Sequence, residues 1–184
     1  MSAIGGGDKN EIKLNTYAGT IAGGSNNVVG ANADFGAIAG GRKNSIGENS
    51  GYAALGGGWL NSVGTSSLFA SIGGGFGNAI QTNATAATIG GGNGNVVITG
   101  AGRSTIGGGD FNVASGPWSF IGGGSGNAVS IIDGYFDSLF SGIGGGQGNT
   151  VVGNFNFTGG GKTNLIIGHS SMIGGGSYNE ISYF

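Results

Sequence analysis

Apolar and small positions return along this chain on a fixed beat. The phrase is clearest at Ile72-Gly73-Gly74-Gly75-Phe76-Gly77-Asn78-Ala79-Ile80. Eleven copies begin at Ile4, Ile21, Ile38, Leu55, Ile72, Ile89, Ile106, Ile121, Ile143, Thr158 and Ile173. The steps between them are 17 residues six times, then 15, 22, 15 and 15. Two residues before each start stands a small residue, such as Gly19, Ala53, Ala70, Ser104 or Ser141. Positions two apart on a strand face the same side, so each start predicts a short strand with a small residue and an aliphatic pointing inward. Eight residues after the start comes a second aliphatic column, including Ile12, Val29, Ile46, Val63, Ile80 and Val97. It predicts a second inward-facing strand.

Between the two strands lies a glycine corner. Its second and third glycines occur in all eleven copies, and the first is replaced only by Ala22 and Ala39. Adjacent positions that avoid side chains point to positive φ or close backbone approach. Six residues after every start stands an asparagine: Asn10, Asn27, Asn44, Asn61, Asn78, Asn95, Asn112, Asn127, Asn149, Asn164 and Asn179. Asparagine suits a turn because it tolerates left-handed backbone. Stacked at the ~4.8 Å strand spacing, identical amides also form a ladder.

A short fixed period signals a solenoid. The expected fold is all-β: a parallel β-solenoid, or β-roll, of eleven short glycine-rich coils with a 15–17 residue repeat. It occupies residues 1–184 as one domain, with a longer connection at 131–142. Eleven coils at ~4.8 Å make a rod roughly 50 Å long. Two buried aliphatics per coil contribute about 1.5–3 kcal/mol each, which is little for so thin a section. Burial of a face against identical chains is therefore expected.

Composition narrows the function classes. Glycine is 48 of 184 residues, against a usual ~7%. Proline occurs once, at Pro117, and glycine does not fall on every third position, which excludes collagen. Charged residues are 8% and the net charge is −2, with no basic block, so no nucleic-acid footprint exists. Cysteine is absent, which removes thiolate chemistry. No stretch approaches the ~20 apolar residues of a membrane span, so no membrane insertion is expected. Met1-Ser2-Ala3 runs straight into the first copy, leaving no legible signal peptide. The last copy, with Glu180 after its asparagine, mirrors the first, with Glu11, and neither end shows a polar cap. The expectation is either a segment of a longer fibrous protein or end coils that meet other molecules head to tail.

The candidate surface residues are aromatic. Trp59, Phe76 and Phe111 follow the invariant glycines at variable, outward positions. They could stack on sugar or pack on another chain. The connection holds Tyr135, Phe136 and Phe140 and suits assembly or receptor contact. Charges at Asp8, Lys9, Glu11, Lys13, Arg42 and Lys43 read as a solvated face.

Motifs with chemical look-alikes dissolve into the repeat. Gly159-Gly160-Gly161-Lys162-Thr163 imitates the end of a phosphate-binding loop, but the required first glycine is Asn156. Gly107-Gly108-Gly109-Asp110 suggests calcium-binding nonapeptides, but the period is not nine. His169 is the only histidine. No catalytic residue, metal ligand or cofactor site is assigned, and the chain is not expected to be an enzyme. Asn83-Ala84-Thr85 and Asn156-Phe157-Thr158 match the glycosylation sequon.

Runs such as Ser71-Ile72-Gly73-Gly74-Gly75-Phe76-Gly77-Asn78-Ala79-Ile80 resemble the head repeats of YadA-like trimeric autotransporter adhesins and similar tail-fibre repeats of phages and large viruses. The resemblance covers almost the whole chain. It implies a left-handed roll that trimerises into a rod, outside the cell, on a cell surface or a virion fibre. The coil here is longer than the unit usual in those heads, and stalk, anchor and chaperone segments are absent from this sequence. The expected function is thus a structural, self-assembling rod or filament with an adhesive role, its partner being itself as a homotrimer or end-to-end polymer. The alternative is a head segment that binds a cell-surface glycan or receptor. A third, lesser reading is ice binding through the column Thr20, Ala37, Ala54, Ser71, Thr88, Thr105, which then breaks at Phe120, Gly142, Phe157 and Met172.

Overall fold

The computed structural model describes residues 1–131 and 140–183. Each copy of the phrase makes two very short strands, Ser71–Ile72 and Ala79–Ile80 in the fifth turn. First strands pair in parallel with first strands, and second with second. Two parallel sheets of eleven strands result, each in strict chain order. The chain is a parallel β-solenoid, all-β, with no helix among the described residues.

The register does not slip. Ile72 lies opposite Leu55 and Ile89, and Ile80 lies opposite Val63 and Val97. Changes of step length leave it untouched: Ile106 pairs with Ile121 across a 15-residue step, and Ile121 with Ile143 across the 22-residue one. Length variation is absorbed between the sheets, because a one-residue slip would turn the whole aliphatic column outward.

Between the end turns both aliphatic columns are buried, with Ile21, Ile72, Ile89, Val97 and Ile106 fully enclosed, while Ile4 is exposed and Ile12 and Ile181 are half-buried. The small column completes the packing. A Cβ on Gly19 would stand 2.8 Å from Cγ2 of Thr16, so an alanine there would require the Thr16 side chain to shift. In later turns Ala53, Ala70 and Ala87 fit and are fully buried.

A third wall, which the aliphatic columns do not predict, closes each coil between its second strand and the next first strand. In the 17-residue coils its inward column is Ala33, Ser50, Ser67, Ala84 and Ala101, all fully buried. Ser50 Oγ donates to Gly64 O at 2.7 Å and accepts from Ser67 N at 3.1 Å. Ser67 Oγ repeats this with Gln81 O and Ala84 N. In the 15-residue coils that column is glycine, at Gly116, Gly153 and Gly168, all buried, and from Ser104 on the small column carries Ser119, Ser141, Asn156 and Ser171 in place of alanine. Ser104 Oγ donates to Gly116 O at 2.8 Å and accepts from Ser119 N at 3.2 Å. Ser141 Oγ does the same with Gly153 O and Asn156 N. A hydroxyl on the small column thus satisfies the turn backbone as one on the third wall does, and Ser2 already does so in the first, 17-residue coil, with Thr16 O at 2.8 Å and Gly19 N at 3.1 Å.

Candidate interaction surface

The glycine corner and the asparagines form one unit. Gly75 has φ +93°, and a Cβ there would lie 2.1 Å from the carbonyl oxygen of Gly92. The third glycine is therefore fixed both by its backbone angle and by close approach of the next turn. Asn78 N donates to Asn61 Oδ1 at 3.0 Å, and its Nδ2 reaches the same oxygen at 3.1 Å. That Nδ2 also donates to Gly74 O at 3.0 Å within its own turn and to Gly92 O at 2.9 Å in the next. One side chain thus ties three turns together. The pattern runs from Asn10, which accepts from Asn27 N, to Asn179, whose N donates to Asn164 Oδ1. Asn27 through Asn164 are fully buried or nearly so.

One expectation needs correction. The asparagine column does not supply the left-handed turn. The residue before it does, at Lys9, Asn26, Lys43, Leu60, Phe111, Thr163 and Tyr178, with φ between 52° and 59°. An asparagine whose amide is committed inward stays in ordinary backbone, and its neighbour turns the chain.

The outward residues of this corner make a bridge ladder, one residue per turn, in which Arg42, Trp59 and Phe76 are successive rungs. Trp59 and Phe76 are 45% and 44% exposed, with ring centroids 5.0 Å apart and planes tilted by 44°. The Arg42 guanidinium lies 5.9 Å from the Trp59 ring. Phe111 is exposed and lies across Gly94, where a Cβ would meet its ring at 2.7 Å. Tyr135 and Phe136 lie outside the described residues.

A second, longer aromatic ladder runs along the third wall, three residues before each start. It contains Phe35, Tyr52, Phe69, Trp118, Phe140 and Phe155, all with φ between 56° and 60°. Left-handed backbone costs a bulky L-residue ~1–2 kcal/mol, and such strain concentrates where function requires it. The other left-handed position of the same turn carries cheaper residues, such as Asn15, Asn32, Asn49, Asn83 and Gly100. The rings stack. Phe35–Tyr52 and Tyr52–Phe69 centroids are 4.8 and 5.0 Å apart with planes within 13° and 11°. Trp118–Phe140 and Phe140–Phe155 follow at 5.2 and 5.7 Å. Tyr17 meets Phe35 edge-on at 5.5 Å. The two blocks are separated by Ala86 and Arg103, and the Arg103 guanidinium lies 5.3 Å from the Trp118 ring. Each stacked pair returns about 0.5–1.5 kcal/mol, which offsets the strain but leaves the rings 39–59% exposed. Of this strip only Phe140 was a candidate from sequence. The signal was an aromatic at a constant offset before the start column.

The chemical look-alikes have structural places. Gly159 to Gly161 form an ordinary corner, and Lys162 is a rung of the bridge ladder. His169 is exposed, and its Nδ1 accepts from Asn154 N at 3.3 Å. Among the described residues no group of three His, Asp or Glu could hold a metal, and no helix is long and apolar enough to cross a membrane. Asn156 is buried and donates to Gly168 O, which makes its sequon inaccessible, while Asn83 is exposed. The proposed ice face is the outer face of the first sheet, and exposed Phe120, Phe157 and Met172 interrupt it. The chain matches no protein-family model and no curated protein, so its fold and surface stand on its own geometry.

Proposed function

We propose that this chain is a structural, rod-forming repeat protein whose partner is itself. The observation that carries this reading is the exposed aromatic ladder, maintained at strained backbone along a rigid solenoid. Two continuous sheets and a continuous amide ladder resist bending, and an apolar stripe on such a body favours side-by-side association. The resemblance to trimeric adhesin heads adds three chains, a left-handed coil and adhesion. The extracellular setting, on a cell surface or a virion fibre, is carried by that resemblance alone.

Light scattering at rising concentration, paired with negative-stain electron microscopy, tests the reading. Multimeric rods or filaments are expected. A monomer at every concentration would refute it.

A second reading, a glycan- or receptor-binding segment, draws on the bridge ladder. Trp59 and Phe76 are tilted by 44°, so neither ring fully covers the other's face, and a sugar face needs such an uncovered ring. A glycan array with Trp59→Ala as the control separates this reading from self-association.

A further inference from the structure

We propose that the aromatic strip of the third wall is a two-fold seam on which a second copy of this chain lies antiparallel. The inference rests on the self-association reading but not on the number three.

The ring geometry selects the kind of partner. Within each block the rings cover one another's faces at interplanar angles of 10–22°. What they present outward is a row of ring edges, and a saccharide that stacks on faces finds few free. A row of edges suits another apolar row. The area is sufficient: with Tyr17 the strip has seven rings about half exposed, and at ~150–250 Å² per aromatic they offer roughly 500–900 Å². A standard interface takes ~800 Å² from each partner.

The order of residues selects the orientation. Along the rod, after the terminal Met1, the column reads Ala18, the block Phe35 to Phe69, Ala86, Arg103, the block Trp118 to Phe155, and Ser170. Three aromatics, two breaks and three aromatics, with small residues outside, make a palindrome. A two-fold contact requires that residue i meets j while j meets i. Placed antiparallel, each block meets the other, Tyr52 faces Phe140, and Ala18 faces Ser170. Ala86 then leaves room for the long Arg103 side chain of the second copy. Placed parallel, or about a three-fold axis, the strip would bring Arg103 against Arg103, and like charges in an interface are unfavourable.

The chain has no cysteine, so single labels are specific. In Ala18→Cys carrying a nitroxide, the antiparallel seam separates the two labels by nine turns, roughly 43 Å. Electron–electron distance measurements on the associated protein should show that long distance. Sedimentation of the double variant Tyr52→Asn, Phe140→Asn should show association weakened at least about tenfold. Asparagine accepts the left-handed backbone at both positions, and an unchanged circular dichroism spectrum will confirm that the variant folds. A short Ala18→Cys distance would mean a parallel seam and overturn the orientation. Unchanged association of the double variant would overturn the strip as the seam and leave self-association standing. A monomeric wild type would overturn both.

Discussion

Asn78 Oδ1 accepts two hydrogen bonds from Asn95, from the backbone N at 3.0 Å and from Nδ2 at 3.1 Å. Because Asn95 is also fully buried, neither residue can exchange these partners for water. Each turn is thus locked to the next through a side chain as well as through the sheets. The unit is polar yet enclosed, and such networks stabilise only when every member is satisfied.

Replacing Asn95 with alanine should therefore cost more than the loss of one hydrogen bond. The change removes the acceptor for Asn112 N and the donor to Gly91 O and Gly109 O. Buried groups left unpaired cost ~1–3 kcal/mol each. A loss of roughly 3 kcal/mol or more is expected, read as a lowered denaturation midpoint. Asn10→Ala, at a half-buried site in the first turn, should cost about 1 kcal/mol or less. Equal losses at both sites would show that burial does not set the strength of the ladder.

The corner predicts a contrast between two glycines two residues apart. Gly75→Ala would put a Cβ 2.1 Å from Gly92 O and 2.8 Å from Asn78 Nδ2, at φ +93°. The next turn would have to move, and a cost of about 3 kcal/mol or more follows. At Gly77, with φ +65°, a Cβ meets nothing within 4 Å. Asn26 already occupies the equivalent place at φ 57°. Gly77→Asn should lie within about 0.5 kcal/mol of wild type. Thermal melts of the two variants side by side decide this.

These positions also explain what was legible in the sequence. The two aliphatic columns, the third glycine and the inward asparagine meet closely similar surroundings in every turn, so the glycine and the asparagine repeat without exception and the aliphatic columns vary only among small branched or apolar residues such as Leu55, Val63, Ala114 and Thr158. The third wall meets only two demands, a small residue inward and a left-handed residue outward, and many side chains satisfy the second. Its column is also hidden by the changing step. Counted forward, Phe35 is fourteen residues after Ile21 but Trp118 only twelve after Ile106, whereas both lie three before the next start. The left-handed residue before the asparagine was missed for a related reason, since Lys9, Leu60 and Gly77 share a backbone angle but no chemistry.

Thr158 is the one start residue that is neither isoleucine nor leucine. It lies between Ile143 and Ile173 in the first sheet and is fully buried. Its hydroxyl oxygen has no hydrogen-bond partner. An enclosed, unpaired hydroxyl costs ~1–3 kcal/mol. Thr158→Val keeps the branched shape and removes that oxygen, so a gain of about 1 kcal/mol is expected. The check is a chemical denaturation midpoint. A drop instead of a rise would mean that the hydroxyl has a partner in solution.

The strip itself predicts opposite signs for the same substitution at two matched backbone angles. Ala86 has φ 58° and Tyr52 has φ 60°. Both residues are exposed. Glycine relieves the left-handed strain at either site by about 1 kcal/mol. At Ala86 there is no ring contact to lose, and Ala86→Gly should raise stability by about 0.5–1 kcal/mol, less the entropy glycine adds to the unfolded chain. At Tyr52 the ring stacks on Phe35 at 4.8 Å and on Phe69 at 5.0 Å. Two such contacts at ~0.5–1.5 kcal/mol each exceed the relief, so Tyr52→Gly should lower stability. Melts at a concentration where the protein is monomeric isolate the intrachain effect. If both variants were stabilised, the rings would contribute nothing within one chain, and the whole reason for their retention would lie between chains.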